Sequence, residues 1–261
     1  MIMLLHSSKT MRQTRSGSRP LHRPLLLDRA SKLASYLKTL SPAELMKVMH
    51  ISDSLSRTTH QLLEAWTNKP DAQLAAIDSF LGDIYSGLRP GGWSESDRLY
   101  ADEHLYILSG LYGILRPLDG IYPYRLELGY KLPSKHYANL YNYWADSVAE
   151  CLPPDEVVIN LSSQEYSKVV LPYIDPERII TPTFLSIHPT TSKPTFVAVH
   201  AKIARGAFAN WVISKRITGV QGLSSFDDLG YRINHELSEA DAPVYICRDF
   251  GGKGLSVRLQ Q

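Results

Sequence analysis

The chain is short of cysteine, of long apolar runs and of net charge, and each shortage excludes something. Its two cysteines, Cys151 and Cys247, stand far apart in 261 residues. They make neither a disulfide framework nor a metal-type pair, so both are read as buried or inert thiols. The nine histidines include no His-x3-His pair, and no Cys-x2-Cys is present. No metal site and no cofactor are therefore expected. The Gly-x-Ser-x-Gly elbow of hydrolases is missing, and Ser-Ser-Lys-Thr at 7–10 lacks the glycines of a Walker loop. No apolar run approaches the roughly 20 residues of a membrane span. The opening Met-Ile-Met-Leu-Leu is too short for a secretory leader and reads as a first strand. The expected compartment is the cytoplasm.

What is present is an ordinary globular composition, with 44% hydrophobic and 21% charged residues. It supports one domain with a substantial core. The net charge of +2 hides an asymmetry: residues 1–38 carry eight Lys and Arg against the single acid Asp28, a balance of +7. A basic segment of this kind is either a solvated arm or the face of an anionic partner. Within it, residues 11–24 are rich in Arg, Ser, Pro and Gly and are expected to form a mobile loop.

Helices are expected over 29–40, from Ser41 as N-cap with Pro42 and Glu44 behind it, over 71–88, from Ser94 to about Ser109, and over 201–217. The runs 156–161, 178–185, 194–200 and 242–248 read as strands. Because strands and helices do not alternate regularly, the fold class is mixed α+β rather than doubly wound.

Four stretches stand out as candidate sites. In Leu108-Ser-Gly-Leu-Tyr-Gly-Ile-Leu-Arg-Pro-Leu-Asp119, a helix, a glycine turn and a second apolar run have the layout of a helix–hairpin–helix element. Gly110 and Gly113 would let a phosphate approach the backbone, with Arg116 just behind; equally, they would let two helices pack. In 200–216, Lys202, Arg205 and Arg216 line one flank of an apolar helical stripe. Gly206 near that flank leaves room for an anionic backbone, unless the cations only cover apolar edges. In 122–129, Arg125 and Glu127 would share a strand face and pair, with Tyr122 and Tyr124 as stacking surfaces or as core. Finally, Ser8, Lys9 and Thr10 form a turn offering hydroxyls and a cation to an anion. Lys9, buried, could instead be a catalytic amine.

Taken together and in order, Ser-Ser-Lys-Thr, Gly-Asp-Ile-Tyr-Ser-Gly-Leu (82–88), the long block 108–129, Leu-Tyr-Asn-Tyr-Trp-Ala-Asp (140–146), Val-Val-Ile-Asn-Leu-Ser-Ser-Gln-Glu-Tyr-Ser-Lys (157–168) and Ala-Lys-Ile-Ala-Arg-Gly (201–206) resemble the YaaA family of bacterial peroxide-stress proteins. The resemblance runs from about residue 2 to 248. It implies a single-domain α+β fold peculiar to the family, with a helix–hairpin–helix-like element and a positively charged cleft. It also implies action against peroxide damage, through DNA binding and limitation of free iron. The positions matching family motifs are Ser8, Lys9, Thr10, Ser109, Gly110, Tyr112, Gly113, Arg116, Asp119, Tyr124, Arg125, Glu127, Ser162, Glu165, Tyr166, Lys202, Arg205 and Gly206. Where the family usually has Pro-Ala before Lys-Thr, this chain has Ser7-Ser8.

Two functions follow as expectations. The first is DNA binding through phosphates, with little sequence preference. The second is an enzyme on a small anionic substrate, with Lys9 or Glu165 as base and Tyr166 beside it.

Overall fold

The computed structural model describes residues 1–12, 19–70 and 73–255. Residues 13–18 of the basic 11–24 loop, and the expected start of the helix at Asp71, lie outside the described residues.

In chain order the elements are β1 (Ile2–His6), β2 (Thr10–Met11), α1 (Leu27–Lys38), α2 (Pro42–Met49), α3 (Asp53–Ala65), β3 (Leu74–Ala75), α4 (Ala76–Ser79) and β4 (Phe80–Leu81). Then come α5 (Asp83–Leu88), α6 (Glu95–His104), β5 (Leu105–Ser109), β6 (Gly113–Leu115), β7 (Gly120–Ile121), α7 (Leu140–Trp144), β8 (Val158–Asn160) and α8 (Gln164–Ser167). The chain continues with β9 (Ile179–Ile180), β10 (Thr183–Ile187), β11 (Pro194–Thr195), α9 (Ala198–Lys215), β12 (Tyr231–Ile233) and β13 (Val244–Cys247). The architecture is mixed α+β, as the irregular order of elements implies.

The first sheet has the order β6-β5-β1-β8-β9. β1 is buried at every position. It pairs in parallel with β5 on one side (His6 opposite Leu108) and with β8 on the other (Leu4 opposite Asn160). An unbroken apolar run suits a strand covered on both faces. The chain leaves β1 toward β5 and later returns to β8 on the opposite flank, so the strand order reverses at β1. That is where sheets of this kind leave a crevice beyond their carboxyl ends.

Local signals hold where they are local. Ser41 and Ser94 both close capping boxes, with Glu44 and Asp97. Three expectations are overturned. The helix expected to reach Ser109 ends at His104, because 105–108 is an apolar run that the parallel edge of β1 captures. Gly113 (φ +72°) then turns the chain into an antiparallel hairpin, with Ser109 opposite Gly113. The 108–116 stretch is thus a β-hairpin, not a helix–hairpin–helix. The expected helix over 71–88 is broken into short pieces, with Gly82 at φ +112° between β4 and α5. The run 194–200 keeps only two strand residues before α9 starts at Ala198.

The second sheet, β11-β10-β13-β12, packs on α9 through aromatic side chains. Phe184 stacks on Tyr245 at 5.3 Å, and Phe208 meets Phe226 edge-on at 4.9 Å. α9 also crosses α5 at backbone contact. A Cβ on Gly206 would lie 1.8 Å from the Ile84 carbonyl oxygen, and one on Gly87 would lie 2.0 Å from that of Ile203. Gly206 therefore serves a helix crossing, not an incoming anion. The buried side chains of both sheets belong to one apolar cluster.

Candidate functional site

β1 delivers His6, Ser7, Ser8 and Lys9 to the carboxyl edge of the first sheet. The Ser7 N–H donates to the Leu108 carbonyl (2.8 Å) and the Leu161 N–H to the Leu4 carbonyl (2.9 Å), so all three central strands are knitted up to this edge. His6 is buried there. Its Nδ1 accepts the Ser163 N–H at 3.1 Å, which assigns the proton to Nε2. The Tyr166 ring stacks on the imidazole at 4.9 Å, and the Tyr85 hydroxyl donates to the His6 carbonyl at 3.1 Å.

Burial, followed by the nearby cations Arg205 and Lys202, pushes His6 down to about 3. It is a neutral donor at working pH. α9 places Lys202 and Arg205 one turn apart, and both are partly buried. Burial lowers the Arg205 pKa from its ordinary value. Among the described residues, no carboxylate lies within ion-pair distance of either. Other arginines are paired: Arg89 with Asp228, Arg98 with Asp78, Arg116 with Asp119 and Arg216 with Asp97. A desolvated cation without a counter-charge is costly, so its position favours an anion brought from outside.

Beyond Tyr166 the cluster carries both signs. Lys9 Nζ pairs with Glu127 Oε2 at 2.6 Å. Arg125 donates to the Lys9 carbonyl at 3.2 Å, not to Glu127 as a shared strand face would require, since 122–129 forms no strand. Glu165 Oε1 accepts the Gly129 N–H (3.1 Å), and Ser8 Oγ accepts the Thr10 N–H (3.2 Å). Burial first, and then Tyr124, Glu127 and Glu165 among its neighbours, hold the Tyr166 phenol well above its ordinary pKa. It is a hydroxyl here, not a base. Tyr122 and Tyr124 are core: the Tyr124 hydroxyl lies 2.6 Å from that of Ser109, with burial pushing its pKa up to about 12.

The edge thus gathers Ser8, Lys9, Thr10, Arg125, Glu127, Glu165, Tyr166, Lys202 and Arg205, with Ser109 and Tyr124 beneath. Ser162 is used locally, donating to Asn160 Oδ1 at 2.7 Å. Five candidates sit elsewhere. Gly110 packs against the Leu126 carbonyl, 2.4 Å from where a Cβ would be, and Gly113 packs against the Trp144 ring. Tyr112 is fully buried, accepting from Trp66 Nε1 at 2.7 Å. Arg116 is spent on the buried Asp119 at 2.9 Å, whose carboxyl burial nonetheless raises to about 6. Arg216 caps α9, pairs with Asp97 at 2.8 Å and lies over Tyr100. His6, Ser163 and Tyr85 escaped the sequence reading. The one signal was a histidine closing an apolar strand just before the Ser-Ser-Lys-Thr turn. Among the described residues no group of three or more His, Cys, Asp or Glu is placed to hold a metal ion, and no helix is long and apolar enough to cross a membrane.

Fold and site together define a mixed α+β protein with a polar cluster of both signs at the switch point of a partly parallel sheet. The sequence profile of the peroxide stress protein YaaA family matches residues 1–237, and the chain belongs to that family. It is 50% identical over 258 residues to a UPF0246 protein of Salinispora tropica, covering 99% of this chain and 98% of the relative. A UPF0246 protein of Roseobacter denitrificans is 39% identical (87% and 91% covered), and one of Ruegeria pomeroyi is 38% identical (85% and 90% covered).

Proposed function

We propose that the protein serves peroxide defence in the cytoplasm by binding a small anionic ligand at the carboxyl edge of its first sheet. Lys202 and Arg205 hold the anion, and the His6 Nε2–H adds a donor without adding charge. Glu165 is the carboxylate base, and the Lys9–Glu127 pair orients the reacting end. The observation that carries this reading is Arg205, desolvated with no carboxylate within ion-pair distance among the described residues. The presence of Glu127 and Glu165 also favours a small ligand over an extended array of phosphates, which they would repel. Calorimetric titration with a sugar monophosphate tests it. Binding is expected, and Arg205→Met is expected to weaken it at least about tenfold, the loss of one charge-assisted contact. Equal binding by the variant would refute it.

A second reading, DNA bound through its phosphates with a lowering of free-iron damage as the outcome, rests on a different surface. Arg19 and Arg23 are exposed, and the Leu21 N–H donates to the Leu118 carbonyl at 3.0 Å, so this basic stretch is fixed to the body of the protein. Duplex affinity that falls steeply with added salt and drops in Arg19→Ala/Arg23→Ala would support it. Affinity indifferent to salt would end it.

A further inference from the structure

The polar cluster borders a groove. Gly129, which donates to Glu165, and Tyr130, which lies against Glu127 and Arg125, both line this groove of about 690 Å³. Its other walls are Glu44, Lys47, Val48, His50, Lys131 and Pro133. That volume is in the range of small-molecule sites, roughly 300–1,000 Å³. The groove carries two cations, Lys47 and Lys131, against the one carboxylate Glu44. Glu44 is already committed to the start of α2, where its Oε2 accepts the Ser41 N–H at 2.8 Å and the Ser41 hydroxyl at 2.7 Å. Lys47 and Lys131 have no carboxylate within ion-pair distance among the described residues, and both are exposed.

A chain of contacts joins the cluster to the groove: Lys202 and Arg205 act on His6, Tyr166 stacks on His6 with Glu127 and Glu165 near it, and Glu165 accepts from Gly129, which lines the groove with Lys47 and Lys131. A carboxylate accepts hydrogen bonds and cannot donate them, so Glu127 and Glu165 call for hydroxyls or amines on the ligand. Resting on the anion-site reading above, we propose that the ligand is a phosphorylated polyol carrying two anionic groups. One is held by Lys202 and Arg205 and the other by Lys47 and Lys131, with its hydroxyls turned toward Glu127 and Glu165.

The test is calorimetric titration at fixed ionic strength with ribose 5-phosphate and ribose 1,5-bisphosphate. The bisphosphate is expected to bind at least about tenfold tighter, the gain from one added charge-assisted contact. In Lys47→Ala/Lys131→Ala the ratio of the two affinities is expected to collapse to about one. Circular dichroism confirms that this surface variant stays folded. Equal affinities in the wild type, or an advantage that survives in the double variant, overturn the two-ended ligand while leaving the anion site standing. If neither sugar phosphate binds, or if Arg205→Met binds both as the wild type does, the anion site itself fails and the inference falls with it.

Discussion

Gly206→Ala is the sharpest perturbation of the scaffold behind the site. The added Cβ would lie 1.8 Å from the Ile84 carbonyl oxygen and 2.7 Å from the Leu88 nitrogen, whereas ordinary contact begins near 3.4 Å. α5 and α9 would have to part by about 1.6 Å at their crossing. Neither can tilt away freely, because Gly87 makes the reciprocal contact and Tyr85 ties α5 to His6. Overpacking costs typically ~1–3 kcal/mol, and contact between two backbones puts this site at the upper end. The better helix propensity of alanine returns ~1 kcal/mol, leaving a net loss of ~2 kcal/mol. At about 2–4 °C per kcal/mol for a chain of this size, the melting midpoint should fall by about 4–8 °C. Thermal unfolding followed by circular dichroism measures it. Gly91→Ala, with no heavy atom within 4 Å of the new Cβ, is the control and should stay within about 0.5 kcal/mol of wild type. Because α9 carries Lys202 and Arg205, phosphate affinity should drop with stability in Gly206→Ala. A variant melting at or above the wild type would refute the close crossing.

Three further outcomes are expected. With His6 held near 3 against an ordinary 6.5, the unfolded chain takes up a proton that the native state refuses. Its contribution to stability is complete above pH 6.5 and is lost as pH falls toward 3. Urea unfolding of His6→Asn between pH 7 and 4.5 should show a shallower pH slope than wild type, and an identical slope would contradict the assignment. Tyr112→Phe removes the acceptor of the Trp66 Nε1–H and the Tyr122 N–H, both buried. At ~1–3 kcal/mol per stranded donor, the denaturant midpoint should report a loss of ~2 kcal/mol or more. Arg116→Ala strands the fully buried Asp119. It should cost about 3 kcal/mol, the low end for a broken buried pair because Arg116 is a quarter exposed, while sugar-phosphate affinity stays unchanged.

How far the sequence could be read depended on the range of the forces involved. The capping box at Ser41 and the N-cap at Ser94 were legible because a cap and the groups it bonds are three residues apart. The strand at 105–109 was not, because an apolar run has no period and only its partner β1, about a hundred residues away, decides its state. Glycine misled in one consistent direction. Gly110, Gly113 and Gly206 do mark close approaches, but to a loop carbonyl, an indole and a helix backbone. A glycine says that something comes near, not what. Lys9, Arg125, Lys202 and Arg205 stood out because polar residues were concentrated in their stretches, whereas Glu165 came only with the family resemblance. His6 did not stand out, since its tautomer is fixed by Ser163, 157 residues on, and its charge by burial beside Arg205 and Lys202, about two hundred residues on.

That unread histidine bears on the chemistry more than the cations do. Were it charged, it would add a third positive group beside Lys202 and Arg205. With its pKa near 3, only about one molecule in ten thousand carries the charge at pH 7. The Ser163 N–H occupies Nδ1 and leaves Nε2–H as a donor, so under the proposed anion-site reading the imidazole offers a hydrogen bond without a third positive charge. Lys202 and Arg205 then share a partly desolvated place with a neutral imidazole. A duplex would meet Glu127 and Glu165 along the same edge; a compact anion with hydroxyls would hydrogen-bond them.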